Sequence, residues 1–112
     1  MKNSLIIGAL VTLMLLFAAP SARADDFVNP PIISGAKMIE KGRYSCPSNY
    51  NETLMNYRRM LRNSGGGFKW RTIIHQNNLK AKYLENTRKN SKWAGINIYE
   101  YNGETRIFVV PR

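Results

Sequence analysis

The chain is poor in the residues that most often carry chemistry. It has one cysteine, Cys46, and one histidine, His75, among 112 residues. An intramolecular disulfide is therefore impossible, and a zinc centre with three or four protein ligands cannot be drawn from His and Cys within one chain. Acids are scarce as well: 7 Asp and Glu stand against 17 Lys and Arg, a formal charge of +10. Glu40, Glu52, Glu85, Glu100 and Glu104, with Asp25 and Asp26 upstream, show no spacing that argues for a paired general acid and base. Gly65 to Gly67 leads into a strand pattern and not into a helix opening with Lys-Ser or Lys-Thr, so it does not read as a phosphate-binding loop. A nucleophile elbow and a Ser-His-Asp signature are also missing. The expectation from these absences is a protein that is not an enzyme and uses no metal or cofactor.

There is no apolar run of the ~20 residues needed to cross a bilayer. The run from Leu5 to Phe17 is shorter, follows the positive Lys2, and is succeeded by Ala22-Arg23-Ala24, a small-x-small cleavage pattern before Asp25. Residues 1–24 are thus expected to be a cleaved signal peptide, with no stable transmembrane segment left afterwards. No cysteine lies at the cleavage site, so nothing suggests a lipid anchor. The address is the periplasm, or the exterior if the host has no outer membrane. What remains is 88 residues with 15 basic and 7 acidic side chains, enough for one small domain. A core of that size without disulfides is thin, which favours a homo-oligomer, because association buries surface the monomer cannot. Burial is the commonest fate of a free cysteine and is the expectation for Cys46.

Local patterns divide the mature chain in two. Residues 25–47 read as an extended arm: Asn29-Pro30-Pro31 forbids helix, Gly35 to Lys41 shows no clean period, and a short strand over Gly42 to Cys46 is ended by Pro47. Residues 48–112 read as a compact α+β domain. Asn49-x-x-Glu52 is a capping-box start, and Tyr50, Leu54, Tyr57 and Leu61 form one apolar helical stripe that the glycines terminate. Beyond them the period changes to two. Phe68 to Gln76 and the segment after Asn77-Asn78 form one hairpin; Trp93 to Val109, turning at Asn102-Gly103, forms another. The predicted architecture is α+β: one amphipathic helix packed on a four-stranded antiparallel sheet of two hairpins, with an extended N-terminal arm. In the first hairpin, pairing 75 with 80, 73 with 82 and 71 with 84 puts Phe68, Trp70, Ile74, Leu79, Ala81 and Tyr83 on the core face. In the second, Ile96, Ile98, Ile107 and Val109 form the core face, while Asn97, Tyr99, Arg106 and Phe108 face the other way, towards a subunit interface or a cover. The last strand is expected at an edge, open to pairing between subunits.

What the chain has in excess is positive charge, and it is concentrated. Between Arg58 and Lys92 ten basic residues face the single acid Glu85, a net charge of +9. Arg58, Arg59 and Arg62 project from the helix away from its apolar stripe, with no i+4 acid to pair them. Lys69, Arg71, His75, Lys80 and Lys82 share the predicted outer face of the first hairpin. These eight residues are the candidate anion-binding set. Like charges crowded on one sheet face repel, and a bound anion offsets that repulsion. If the helix covers the core face, the two basic surfaces point apart in a monomer and meet only around a sheet edge or across a subunit boundary.

The expected function is accordingly that of a small exported binding or accessory protein, whose electropositive surface or pocket takes an anionic envelope component or an acidic protein partner in support of envelope or secretion-system function. Nucleic acid is disfavoured as a client, since the export address sends the protein elsewhere, no recognition motif is present and Phe68, Trp70 and Tyr83 fall on the core side away from the lysines. One alternative is a small secreted nuclease-like hydrolase using His75, with Glu85 or Glu100 as base and Arg71 for phosphate. Another is a basic protein active on anionic membranes, ranked lower because the chain is not one continuous amphipathic helix.

Overall fold

Asn49 starts the helix as its sequence predicts. Its Oδ1 accepts from the backbone N–H of Glu52 at 2.8 Å, and the Glu52 carboxylate accepts from the N–H of Asn49 at 3.4 Å. Two of the amide groups that every helix leaves unpaired at its first turn are thereby satisfied. Helix α1 spans Tyr50–Leu61 and buries Tyr50, Thr53, Leu54, Tyr57 and Leu61, which is the predicted stripe with one threonine added. Gly65, Gly66 and Gly67 follow at positive φ, where a side chain would be strained, and turn the chain into the sheet.

The computed structural model describes residues 27–112. The signal-peptide reading of residues 1–24 lies outside the described residues. Six strands follow in chain order: β1 (Lys37–Glu40), β2 (Arg43–Ser45), β3 (Phe68–Gln76), β4 (Leu79–Asn86), β5 (Trp93–Tyr101) and β6 (Glu104–Pro111), with α1 between β2 and β3. They form one antiparallel sheet in the order β1-β2-β6-β5-β4-β3. The α+β class stands, but the sheet has six strands and not four. Gly42, expected to open a strand, instead adopts positive φ in the tight turn between β1 and β2, so the end of the arm folds back into a third hairpin. Because β2 then pairs with β6, the last strand is internal, contrary to its expected place at an edge. The two edges are β1 and β3.

The β5–β6 hairpin has every predicted partner: 101 with 104, 99 with 106, 98 with 107, 97 with 108 and 96 with 109. Asn102 and Gly103 both have positive φ, as a two-residue turn matched to strand twist requires. The β3–β4 hairpin keeps the predicted pairing only near its turn. His75 faces Lys80, but a bulge between Thr72 and Ile74 then shifts the register by one, so that Thr72 faces Lys82 and Trp70 faces Leu84. A one-residue slip moves every later side chain to the opposite face. Phe68 and Trp70 consequently share a face with Lys80, Lys82 and Leu84, while Leu79, Ala81 and Tyr83 lie on the other face with Lys69 and Arg71. Asn77 and Asn78 make this turn without positive φ.

Helix α1 packs over β5 and β6. Beneath it Leu84, Trp93, Ile96, Ile98 and Ile107 are buried. The arm belongs to the same core: Phe27 and Ile33 are buried in it, the Trp93 indole donates to the Phe27 carbonyl at 2.8 Å, and the Tyr57 hydroxyl donates to that of Pro31 at 2.9 Å. Two buried aromatic donors thus find their partners in a segment whose own sequence shows no period. Cys46 is half-buried against this core as a free thiol, and burial pushes its pKa up to about 11. No helix among the described residues is long and apolar enough to cross a membrane.

Candidate functional site

The bulge at Ile73 decides the electrostatics of the molecule. It puts Trp70 on the face covered by the helix, near the helix edge that carries arginines. The Arg58 guanidinium lies over the Trp70 ring, 5.2 Å from its centroid. Arg58, Leu61, Arg62, Ser64, Gly66, Phe68 and Trp70 line a cleft of about 210 Å³ between the end of α1 and the start of β3. None of these residues is acidic. Both arginines stand near the helix C-terminus, whose partial negative charge favours cations. A guanidinium over an indole face is attracted by the ring and keeps N–H donors free to meet a carboxylate or phosphate.

The floor of this cleft is fixed by Arg88, which sequence alone groups with the surface charges. Its guanidinium donates to the carbonyls of Ser64 and Gly66, the latter at 2.6 and 3.1 Å, and lies 4.6 Å from the Phe68 ring centroid. Thr87 joins it, donating through N–H and hydroxyl to the Gly67 carbonyl at 2.8 and 3.0 Å. The buried Asn86 amide holds the following turn, donating to the Ser91 hydroxyl at 2.6 Å and the Trp93 carbonyl at 3.0 Å. The polar, basic loop 87–91 is therefore a latch on the glycine loop.

The eight candidate anion-binding residues fall into three groups. Arg58 and Arg62 line the cleft. His75, Lys80 and Lys82 lie on the same side of the sheet as α1, with Lys80 paired to Glu100 at 3.8 Å and Lys82 facing Thr72 on one side and Ile98 on the other. Lys69 and Arg71 lie on the opposite face, where Arg71 pairs with Glu85 at 2.7 Å. Arg59 turns outward and donates to Asn56 Oδ1 at 3.1 Å. The expectation that the helix arginines and the basic hairpin face point apart holds for Lys69 and Arg71 but fails for Lys80 and Lys82, which the bulge puts on the same side of a single chain as Arg58 and Arg62. Trp70 and Phe68, expected among core residues away from the cations, line the arginine cleft, so the argument against nucleic acid from ring placement does not hold.

The proposed hydrolytic set is divided by the same bulge. His75 and Glu100 lie on the helix side of the sheet, Arg71 and Glu85 on the other, and Glu85 is engaged by Arg71. Among the described residues no group of three or more His, Cys, Asp or Glu side chains could hold a metal ion. A residue that sequence reasoning passed over is Tyr50. Its buried hydroxyl has no hydrogen-bond partner among the described residues, and its pKa is raised by burial and then by the charge of Glu100, with Arg58 opposing. Its place in the apolar stripe hid its polar end.

Compared with known proteins, the chain matches no family model, no curated protein and no solved structure.

Proposed function

We propose that this protein is a small exported binding or accessory factor of the cell envelope that captures an anionic ligand with the cleft between α1 and β3. The observation that carries the reading is Arg58 over Trp70 with Arg62 beside it, in a cleft lined by no acid. Lys82 and Lys80 on the same side of the sheet extend the positive field, which speeds encounter with anions without choosing among them. Selection falls to the cleft, whose flat ring and paired guanidinium groups fit a phosphate or carboxylate attached to an apolar or planar body. Lipopolysaccharide phosphates, acidic lipid headgroups and acidic protein segments present such groups in the periplasm.

The test is binding of the purified full chain to vesicles containing phosphatidylglycerol, to vesicles of phosphatidylcholine alone, and to lipopolysaccharide. Binding to the anionic surfaces, weakened by added salt and lost in Arg58→Glu/Arg62→Glu, is the expected result. A double variant that keeps its circular dichroism spectrum and binds as the unaltered protein does would overturn the proposal. Release of vesicle contents at the same occupancy would transfer the reading to a membrane-active protein. Degradation of RNA by the unaltered chain but not by His75→Ala would transfer it to a hydrolase.

A further inference from the structure

The sheet face opposite α1 has a different character. Ile73, Leu79, Ala81, Asn97, Tyr99 and Phe108 meet there across four strands, in a shallow depression of about 320 Å³ with Arg43 at its side. A second depression of about 460 Å³ adjoins it, between Leu79, Tyr99, Tyr101, Glu104 and Arg106. Ile73 is 59 % and Tyr101 56 % exposed, and nothing among the described residues covers either. A contiguous apolar surface with a polar surround is the anatomy of an interface.

The charges of this face identify the occupant. Arg71 holds Glu85 at 2.7 Å, Arg106 holds Glu104 at 2.8 Å and Arg43 holds Glu40 at 3.5 Å. Three of the four ion pairs among the described residues are thus gathered on or beside this one face, in a chain where bases outnumber acids by more than two to one. A polyanion arriving here would have to displace three carboxylates. A second copy would meet a surface on which Arg43, Arg71 and Arg106 already hold carboxylates, with Lys69 near one end and an apolar centre. Four long strands at ~4.8 Å spacing and about 27 Å in length give a footprint of roughly 500 to 600 Å² before side-chain relief is counted. That approaches the ~800 Å² of accessible surface per partner of a standard interface. Pairing through an edge is the competing route, and both edges are poorly made for it: β1 has four residues with an irregularity between Met38 and Glu40, and β3 carries the bulge at Ile73. Short and bulged edges resist strand addition.

We infer that two copies associate back to back through this sheet face, as a sandwich with both helices and both arginine clefts outermost. Strand directions in such a packing differ by about 30° and the sheets stand ~10 Å apart. The inference is independent of the anion-binding reading, because the two use opposite faces of the sheet.

Sedimentation equilibrium of the full chain over a wide concentration range tests it. The unaltered protein should be a dimer. Ile73→Lys/Tyr101→Lys should weaken association by roughly a hundredfold, the size of like-charge repulsion in an interface, with an unchanged circular dichroism spectrum. Arg58→Glu/Arg62→Glu should dimerise as the unaltered chain does. In a Cys46→Ser background, a short bismaleimide should link Asn97→Cys chains, at the centre of the face, and leave Met38→Cys chains, on the β1 edge, unlinked. A monomer at every concentration would overturn the inference. So would a dimer indifferent to the two lysines, or one linked through Met38→Cys and not through Asn97→Cys.

Discussion

The hydroxyl end of the Tyr83 ring packs against Gly95, its cross-strand diagonal neighbour on β5, so closely that a methyl group added at Gly95 would overlap it. The contact follows from register. Glu85 faces Gly95 and Tyr83 faces Asn97, which leaves the glycine uncovered except by the aromatic side chain two positions away. A ring covering a glycine restores packing that a strand interior without a side chain otherwise lacks. Gly95→Ala should therefore push Tyr83 outward and lower stability by about 1 to 2 kcal/mol in urea titration. In a Tyr83→Ala background the same substitution should cost much less, because the overlap has gone. Additive losses would show that the ring and the glycine are not coupled.

Arg88 holds three groups of the glycine loop and its neighbours together, and its role differs from that of Arg58 although both stand in the basic stretch. Arg88→Ala removes charge-assisted hydrogen bonds to the Ser64 and Gly66 carbonyls and the contact with Phe68. The expected loss is about 1.5 to 3 kcal/mol, seen as a lower thermal midpoint. Arg58→Ala, whose recorded contact is the exposed stack on Trp70, should cost well under about 1 kcal/mol. A reversed order of the two midpoints would contradict the division into latch and cleft residues.

These two arginines mark where sequence stops being informative. The capping box at Asn49, the helical stripe and the whole β5–β6 register were legible because each rests on a local rule: a side chain reaching three residues, a period of 3.6, an Asn-Gly turn. The bulge was not legible, because Ile73 and Ile74 are both β-branched and apolar, and either can take the inward place in an alternating pattern. One extra residue there exchanged the faces of Phe68 and Trp70 and, with them, the surroundings of Lys80 and Lys82. The β1–β2 hairpin escaped notice because Lys37–Glu40 is exposed along its length and shows no alternation. The place of the arm in the core was equally hidden, resting on backbone carbonyls at Phe27 and Pro31 that carry no trace in composition.

Cys46 makes stability depend on alkaline pH in a definite direction. Burial disfavours the thiolate and raises the pKa from 9.0 to about 11. Above pH 9 the unfolded chain gives up this proton before the folded chain does, so the folded state binds more protons and stability falls as pH rises. The contribution is fully present below pH 9 and is lost as pH climbs through about 11. Tyr57, raised in the same direction chiefly by burial, adds to the decline. Urea midpoints should therefore drop across this range, less steeply in Cys46→Ala. At neutral pH the thiol should react with iodoacetamide far more slowly than in urea, since the thiolate is the reactive form. Equal rates in the two conditions would contradict the buried placement.

Because the two tryptophans sit in unlike surroundings, they offer a direct reading of the cleft. Trp93 is fully buried, with its indole bonded to the Phe27 carbonyl and its ring stacked on Phe68 at 5.8 Å. Trp70 is half-buried under Arg58 at the cleft wall. An anion that draws the Arg58 guanidinium from the ring changes the emission of Trp70 and leaves that of Trp93 nearly unaltered. Titration with phosphatidylglycerol vesicles should shift the fluorescence of the unaltered chain and of Trp93→Phe, if the latter folds. It should have almost no effect on Trp70→Phe. Binding itself should persist in Trp70→Phe, weakened by about 1 kcal/mol or less, because phenylalanine keeps a ring for the guanidinium with a weaker quadrupole. A ligand-dependent signal that survives in Trp70→Phe would place the anion elsewhere on the helix side, nearer Lys80 and Lys82 than the arginine cleft.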